Sequence, residues 1–207
     1  LGIEIPTREE MQEIESSSRL YREGDALFLT ASFLYGVEVG EYASTPITFV
    51  LTNTTLITVR YATPKAFTVF GVRAQRQPGT LLNTPDAVML HLFEQIVDRL
   101  ADVLERLGAD MDRASQRTFR AARSNIKANR RDEQLKDTLI TLGQVGEVTS
   151  RTMETLIGLT RILTFIGAEK ATAVRKENQN LLKTLVRDVR SLVDHSNALT
   201  SKAQFLL

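Results

Sequence analysis

The spacing of apolar positions divides the chain into two parts with different grammar. In the first part, runs rich in β-branched and aromatic residues alternate with turn residues. Ala26 to Tyr35 reads as a largely buried strand entered from a Glu23-Gly24-Asp25 turn, and Thr45 to Thr52 and Thr55 to Tyr61 read as a hairpin around Asn53-Thr54. Before them, Thr7-Arg8-Glu9-Glu10 has the form of a capping box and predicts a short helix through about Ser16. Thr63-Pro64 predicts the start of another helix, with Thr63 as its cap, and Gln77-Pro78-Gly79 its end.

The second part has a period of three to four. After a second Thr-Pro start at Thr84-Pro85, Val88, Leu92, Ile96, Leu100, Val103, Leu107 and Met111 form one stripe on a long helix, with Asp98, Asp102, Glu105 and Arg106 on its solvated side. A turn is expected near Ser124-Asn125, and a returning helix carries Leu135, Leu139, Leu142, Met153, Leu156 and Ile162. From about residue 168 to Leu207 the chain has neither glycine nor proline. There Leu182, Leu185, Val189, Leu192, Ser196, Leu199, Ala203 and Leu206 alternate by three and four. That seam fits packing between copies in an oligomer or packing on the chain's own helical hairpin.

Composition sharpens the division. All five prolines and nine of the thirteen aromatics fall before Asp86, so strands and turns belong to the first part and long helices to the second. The predicted fold class is mixed α+β, with an α/β subdomain over 1–83, its sheet incomplete at the N-terminus, and a long-helix subdomain over 84–207. The latter is a long antiparallel helical hairpin followed by a long stalk helix from about 168.

No apolar run reaches the roughly 18 residues a membrane helix needs, and no basic-then-apolar leader opens the chain. With no cysteine, thiolate metal sites and disulfides are excluded, and a reducing, cytosolic setting fits best. The last residues, Ala203-Gln204-Phe205-Leu206-Leu207, offer no capping glycine, so the helix is expected to continue toward a membrane segment.

Enzymatic chemistry has little to stand on. There are two histidines, His91 and His195, and no phosphate-binding glycine loop, dinucleotide fingerprint or zinc-protease motif. His91 reads as a packed or hydrogen-bonded residue, and His195 as a polar residue at the seam's edge.

Seven cations from Arg113 to Arg131, uninterrupted by an acid, could contact nucleic-acid phosphates or anionic head groups. A net charge of +1 and a single aromatic there, Phe119, argue against nucleic acid, and solvation is the default. An oligomeric coiled-coil scaffold or signalling module would explain the seam but not the α/β part.

The opening run Leu1-Gly2-Ile3-Glu4-Ile5-Pro6-Thr7-Arg8-Glu9-Glu10-Met11, then Ser17-Ser18-Arg19-Leu20-Tyr21, and the closing Leu181 to Leu207 helix resemble the cytoplasmic part of the CorA family of magnesium and cobalt transport proteins. The order helix, sheet, long helix, returning helix, longest helix is similar throughout. The family's Gly-Met-Asn signature lies after its first transmembrane helix and is absent here.

The resemblance implies the Mg²⁺-sensing domain of a divalent-cation channel or transporter. It would be a homopentamer at the cytoplasmic face of the inner or plasma membrane, joined to it through a C-terminal segment, with Mg²⁺ as the ion, Co²⁺ or Ni²⁺ as further cargo, and no organic cofactor or nucleic-acid partner. A Zn²⁺-transporting relative shares the architecture. Mg²⁺ keeps most of its waters and binds through one or two carboxylates. Asp188 and Asp194 on the stalk and Glu23 and Asp25 at the strand turn are therefore nominated, from chemistry and location, as ligands of a site between subunits.

Overall fold

The computed structural model describes residues 2–123, 128–169 and 173–206, and side chains outside 121–131. The turn expected near Ser124-Asn125 lies outside the described residues, as do the side chains of Arg123, Lys127, Arg130 and Arg131.

A 3₁₀ turn at Glu10–Gln12 and a single-turn helix α1 (Ser16–Arg19) lead into four strands, β1 (Leu20–Glu23), β2 (Ala26–Tyr35), β3 (Ala43–Leu51) and β4 (Leu56–Arg60). They form one antiparallel sheet in the order β1-β2-β3-β4, with Leu29 opposite both Leu20 and Phe49, and Val50 opposite Ile57. Helices α2 (Lys65–Arg76), α3 (Pro78–Leu81), α4 (Pro85–Arg123), α5 (Ala128–Ala168) and α6 (Gln179–Leu206) follow.

The predicted β2 and the β3–β4 hairpin are present, and the hairpin turn is closed by the Thr52 amide donating to the Thr55 carbonyl at 2.9 Å. The capping box forms: the Thr7 amide donates to Glu10 Oε2 at 2.7 Å, and the Glu10 amide to Thr7 Oγ1 at 3.3 Å. The helix it starts does not reach Ser16. Ile14 is exposed, so no apolar stripe offsets the cost of propagating a short helix. Strand β1 was not foreseen in Leu20 to Glu23; its pairing with β2, not its own pattern, makes it a strand.

Thr63 does not cap α2 either. Its hydroxyl accepts from Arg60 Nη1 at 2.6 Å, and Pro64 occupies the cap position without a side-chain bond. At Thr84 the prediction holds, with the Ala87 amide donating to Thr84 Oγ1 at 3.3 Å.

The inner face of the sheet supplies Leu27, Leu29, Phe33, Ile47, Phe49 and Leu51 to a core shared with α4, α5 and α6. Phe49 lies edge-on to Phe93 of α4, ring centres 4.9 Å apart. Helix α5 crosses β2 so closely that Gly158 rests against Ala31, and the Leu34 amide donates to Thr155 Oγ1 at 3.0 Å. On the outer face, Phe28 and Val50 form a small cluster covered by Ile3, Tyr21 and Ile57.

The predicted stripe of α4 is buried from Leu92 to Met111, with Val88 half-buried. One prediction for the helical part fails. The stalk helix starts at Gln179, after a 3₁₀ turn at Lys176–Asn178, not at about 168. Leu135 and Leu139 of the returning helix are exposed.

Of the two ways the seam could be used, packing on the chain's own helices is the one seen. Leu182, Leu185, Val189, Ser196, Leu199 and Ala203 are all buried within the chain, and Leu192 and Leu206 are half-buried against the same core. Leu199, for example, faces Gly108 of α4. A repeat of three and four specifies a helical partner but not the chain that supplies it.

Candidate functional site

The surface flanking α6 carries a row of carboxylates. Glu94, Asp98 and Asp102 follow one another at intervals of four on α4, which places them on one face. Asp188 of α6 stands close enough to act on Asp98. Partial burial, together with the carboxylates of Glu94, Asp102 and Asp188, raises the Asp98 pKa above the usual aspartate value, and Arg73 only partly opposes this.

Glu94 is shared between Arg73 at 3.5 Å and His91 Nδ1 at 3.2 Å. His91 is therefore the hydrogen-bonded residue the sequence suggested. Asp102 has a distant partner in Arg99 at 3.8 Å, and Asp188 one in Arg187 at 3.6 Å. Asp98 forms no ion pair among the described residues.

The four nominated acids fall in three places. Glu23 and Asp25 line one open hollow with Glu4 and the Thr52-Asn53-Thr54 turn. Asp188 belongs to the acidic flank just described, while Asp194 and His195 are exposed farther along α6. At 1.5 Å per residue, Asp188 and Asp194 are about 9 Å apart along the axis. Among the described residues, no three acidic, histidine or cysteine side chains converge on one point. Within one chain these carboxylates suit outer contact with a hydrated cation and not a closed cage. Sequence reasoning assigned Asp98 and Asp102 to a plain solvated face. Their interval of four was the available signal, but only α6 folding back beside α4 brings Asp188 to them.

A second feature ties α6 to the sheet. Asp86, at the start of α4, is 1 % exposed and is the buried anion of the described core. It accepts the Arg175 amide at 2.9 Å, the Asn178 side chain at 2.8 Å and the Arg175 guanidinium. Arg175 also donates to the Asn53 carbonyl at 2.9 Å, and Arg22 of β1 pairs with Glu169 at 2.7 Å. The segments entering and leaving the α5–α6 connection are thereby fastened to the sheet. A small cleft of about 90 Å³ beside this network is lined by Asp25, Asn53, Asp86 and Arg175. Burial alone would raise the Asp86 pKa, but hydrogen bonds from Asn178, the Arg175 amide, Thr84 and the Arg175 guanidinium outweigh it and hold the group below the usual value.

Among the described residues, no helix is long and apolar enough to cross a membrane.

Comparison with known proteins places this architecture. The chain is 28% identical over 208 residues to the magnesium transport protein CorA of Haemophilus influenzae and 25% identical over 207 residues to that of Escherichia coli K12. In each case the whole chain is matched to 62% of the relative, so it spans less than two thirds of their length. The complete structure of the CorA magnesium transporter from Methanocaldococcus jannaschii superposes with a TM-score of 0.72 at 13% identity, covering 97% of this chain and 65% of that one. The cytoplasmic domain of ZntB from Vibrio parahaemolyticus superposes with a TM-score of 0.68 at 8% identity, covering 92% and 71%. The profile of the family described as CorA-like Mg²⁺ transporter protein matches residues 1–207, and the chain belongs to that family.

Proposed function

We propose that this chain is the cytoplasmic regulatory part of a CorA-like divalent-cation channel or transporter, and that it senses Mg²⁺ between subunits of a homopentamer at the cytoplasmic face of the inner or plasma membrane. The observation that carries the reading is the acidic flank of α6, where Asp188 adds to the crowded carboxylates of Glu94, Asp98 and Asp102.

Carboxylates that repel one another favour a conformation holding a cation between them, and a hydrated Mg²⁺ needs only one or two of them per chain. Asp188 and Asp194 on one copy, with Glu23 or Asp25 on a neighbour, would share the ion. When the ion leaves, like charges face each other, the copies loosen, and α6 is free to shift. No organic cofactor or nucleic-acid partner enters this reading.

The fold supports CorA and ZntB relatives alike, so the donor set supports one over the other. The chain has no cysteine and two histidines, one of them tied to Glu94, whereas Zn²⁺ favours sulfur and imidazole. The nominated ligands Asp188, Asp194, Glu23 and Asp25 are all oxygen donors, which favours Mg²⁺.

The test is the parent gene beyond the codon for Leu207. Two apolar segments of about 20 residues joined by Gly-Met-Asn, with Mg²⁺ uptake by the encoded protein, are expected. A stop codon or a polar continuation would leave an oligomeric scaffold as the better account.

A further inference from the structure

Helices α4 and α6 run parallel and in step. Asp188 stands beside Asp98, Leu199 faces Gly108 and Lys202 pairs with Asp112, so each residue of α6 lies level with one about ninety earlier on α4. Counted from the Lys202–Asp112 pair, α6 has four more residues to Leu206, whereas α4 has eleven more to Arg123. At 1.5 Å per residue, the end of the α4–α5 hairpin projects about 10 Å beyond the end of α6.

The projecting part is basic. Arg113, Gln116, Arg117 and Arg120 recur by three and four, which places them on one face of α4, and all four are exposed. Arg113 pairs with Asp110 on its own helix, but Arg117 and Arg120 form no ion pair among the described residues. Phe119 is 57 % exposed between them in the chain. In the sequence the run continues through Arg123, Lys127, Arg130 and Arg131 without an acid. On each helix the acids come only farther from the hairpin end. They are Asp110 and Asp112 on α4, the latter held by Lys202, and Asp132, Glu133 and Asp137 on α5, with Lys136 among them.

Helix stability does not ask for this arrangement. The helix dipole favours cations in the last turn of α4, which accounts for Arg120 and Arg123. It does not account for Arg113 or Arg117, and it disfavours Arg130 and Arg131 in the first turn of α5, where there is no acid. The cluster is directed at an anion outside the chain. Groups of about four to eight Lys and Arg next to a membrane are drawn to anionic head groups, and an exposed Phe among them suits the apolar side of that layer. Stacking on nucleic-acid bases would call for more than one aromatic. We propose that the end of the α4–α5 hairpin, through Arg117, Arg120 and Phe119, rests on an anionic phospholipid surface. This rests on the reading of the chain as part of a transporter at the face of a membrane, which puts the bilayer beyond the end of α6. It adds a second contact with that bilayer, and the projection of the hairpin keeps the bilayer surface at least about 10 Å beyond Leu206.

Co-sedimentation of the chain with lipid vesicles, in EDTA so that cation sensing plays no part, is the test. Binding is expected at low salt to vesicles of equal parts phosphatidylglycerol and phosphatidylcholine, with release at high salt and none to pure phosphatidylcholine. Combining Arg117→Glu with Arg120→Glu should weaken that binding by about tenfold or more. The same change of charge on α2, Lys65→Glu with Arg76→Glu, should weaken it by about twofold or less, since these exposed cations sit on the helix that packs near Glu94, far from the hairpin end. Phe119→Ala should weaken binding without altering its dependence on salt. The proposal is overturned if the unmodified chain does not bind the anionic vesicles at low salt. It is overturned equally if the α2 pair weakens binding as much as the α4 pair, because net charge would then be the cause, or if duplex DNA is bound more tightly than the vesicles at the same salt. These results are separable from the proposed function. Membrane segments encoded beyond Leu207 without vesicle binding would sink only the hairpin contact, and vesicle binding without such segments would sink only the transporter reading.

Discussion

Arg175 holds Asp86 twice, through its backbone amide at 2.9 Å and through its guanidinium, and so fastens the approach to α6 onto the first turn of α4. Removing the buried Asp86 carboxylate leaves the Arg175 amide and the Asn178 side chain without their acceptor. Asp86→Ala is therefore expected to lower stability by about 2 kcal/mol, with a lower midpoint in urea and an unchanged slope. The neighbouring surface substitution Glu169→Ala should cost about 0–1 kcal/mol, since its pair with Arg22 is partly solvated.

The same contact sets a pH dependence. The folded-state pKa of Asp86 is held below its unfolded value, so its contribution is fully present above the unfolded value of about 4 and is lost as pH falls through the lower folded value. Thermal melts should show the unmodified chain losing stability below about pH 4 more steeply than Asp86→Asn. Parallel acid profiles for the two proteins would contradict the assignment.

Gly158 marks the crossing of α5 over β2. A Cβ there would lie 2.7 Å from the Ala31 Cβ, which sits on an interior strand and cannot rotate away. Gly158→Ala is expected to destabilise by about 1–2 kcal/mol, because overpacking exceeds the gain of about 1 kcal/mol in helix propensity. Gly143→Ala, on the same helix with open space around it, should be neutral or stabilising in the same melts.

Ser196 is fully buried in the α6 seam, and its hydroxyl has no partner among the described residues. Ser196→Ala should raise stability, by up to about 1 kcal/mol, since it removes an unpaired buried polar group at little cost in volume. A loss of more than about 1 kcal/mol in urea denaturation would show that the hydroxyl is bonded in solution.

Patterns confined to one element were legible in the sequence. The buried strand Ala26 to Tyr35, the turn at Asn53-Thr54, the cap at Thr84 and the α4 stripe all reappear, because local chemistry and the run or period of apolar residues determine them. What depends on distant partners was not. Leu20 to Glu23 becomes a strand only by pairing with β2. The candidate site divides in the same way. Asp188 was nominated from its chemistry, but its meeting with Asp98, ninety residues away in the chain, follows from the helical packing.

The most direct test of cation sensing is limited proteolysis of the chain across a Mg²⁺ titration, with sedimentation run in parallel. Mg²⁺ is expected to slow cleavage and to increase the associated fraction in the unmodified chain, and to do neither once Asp188→Ala and Asp194→Ala are combined. Protection that is equal in both proteins, or absent from the unmodified one, would contradict a Mg²⁺ site built on α6.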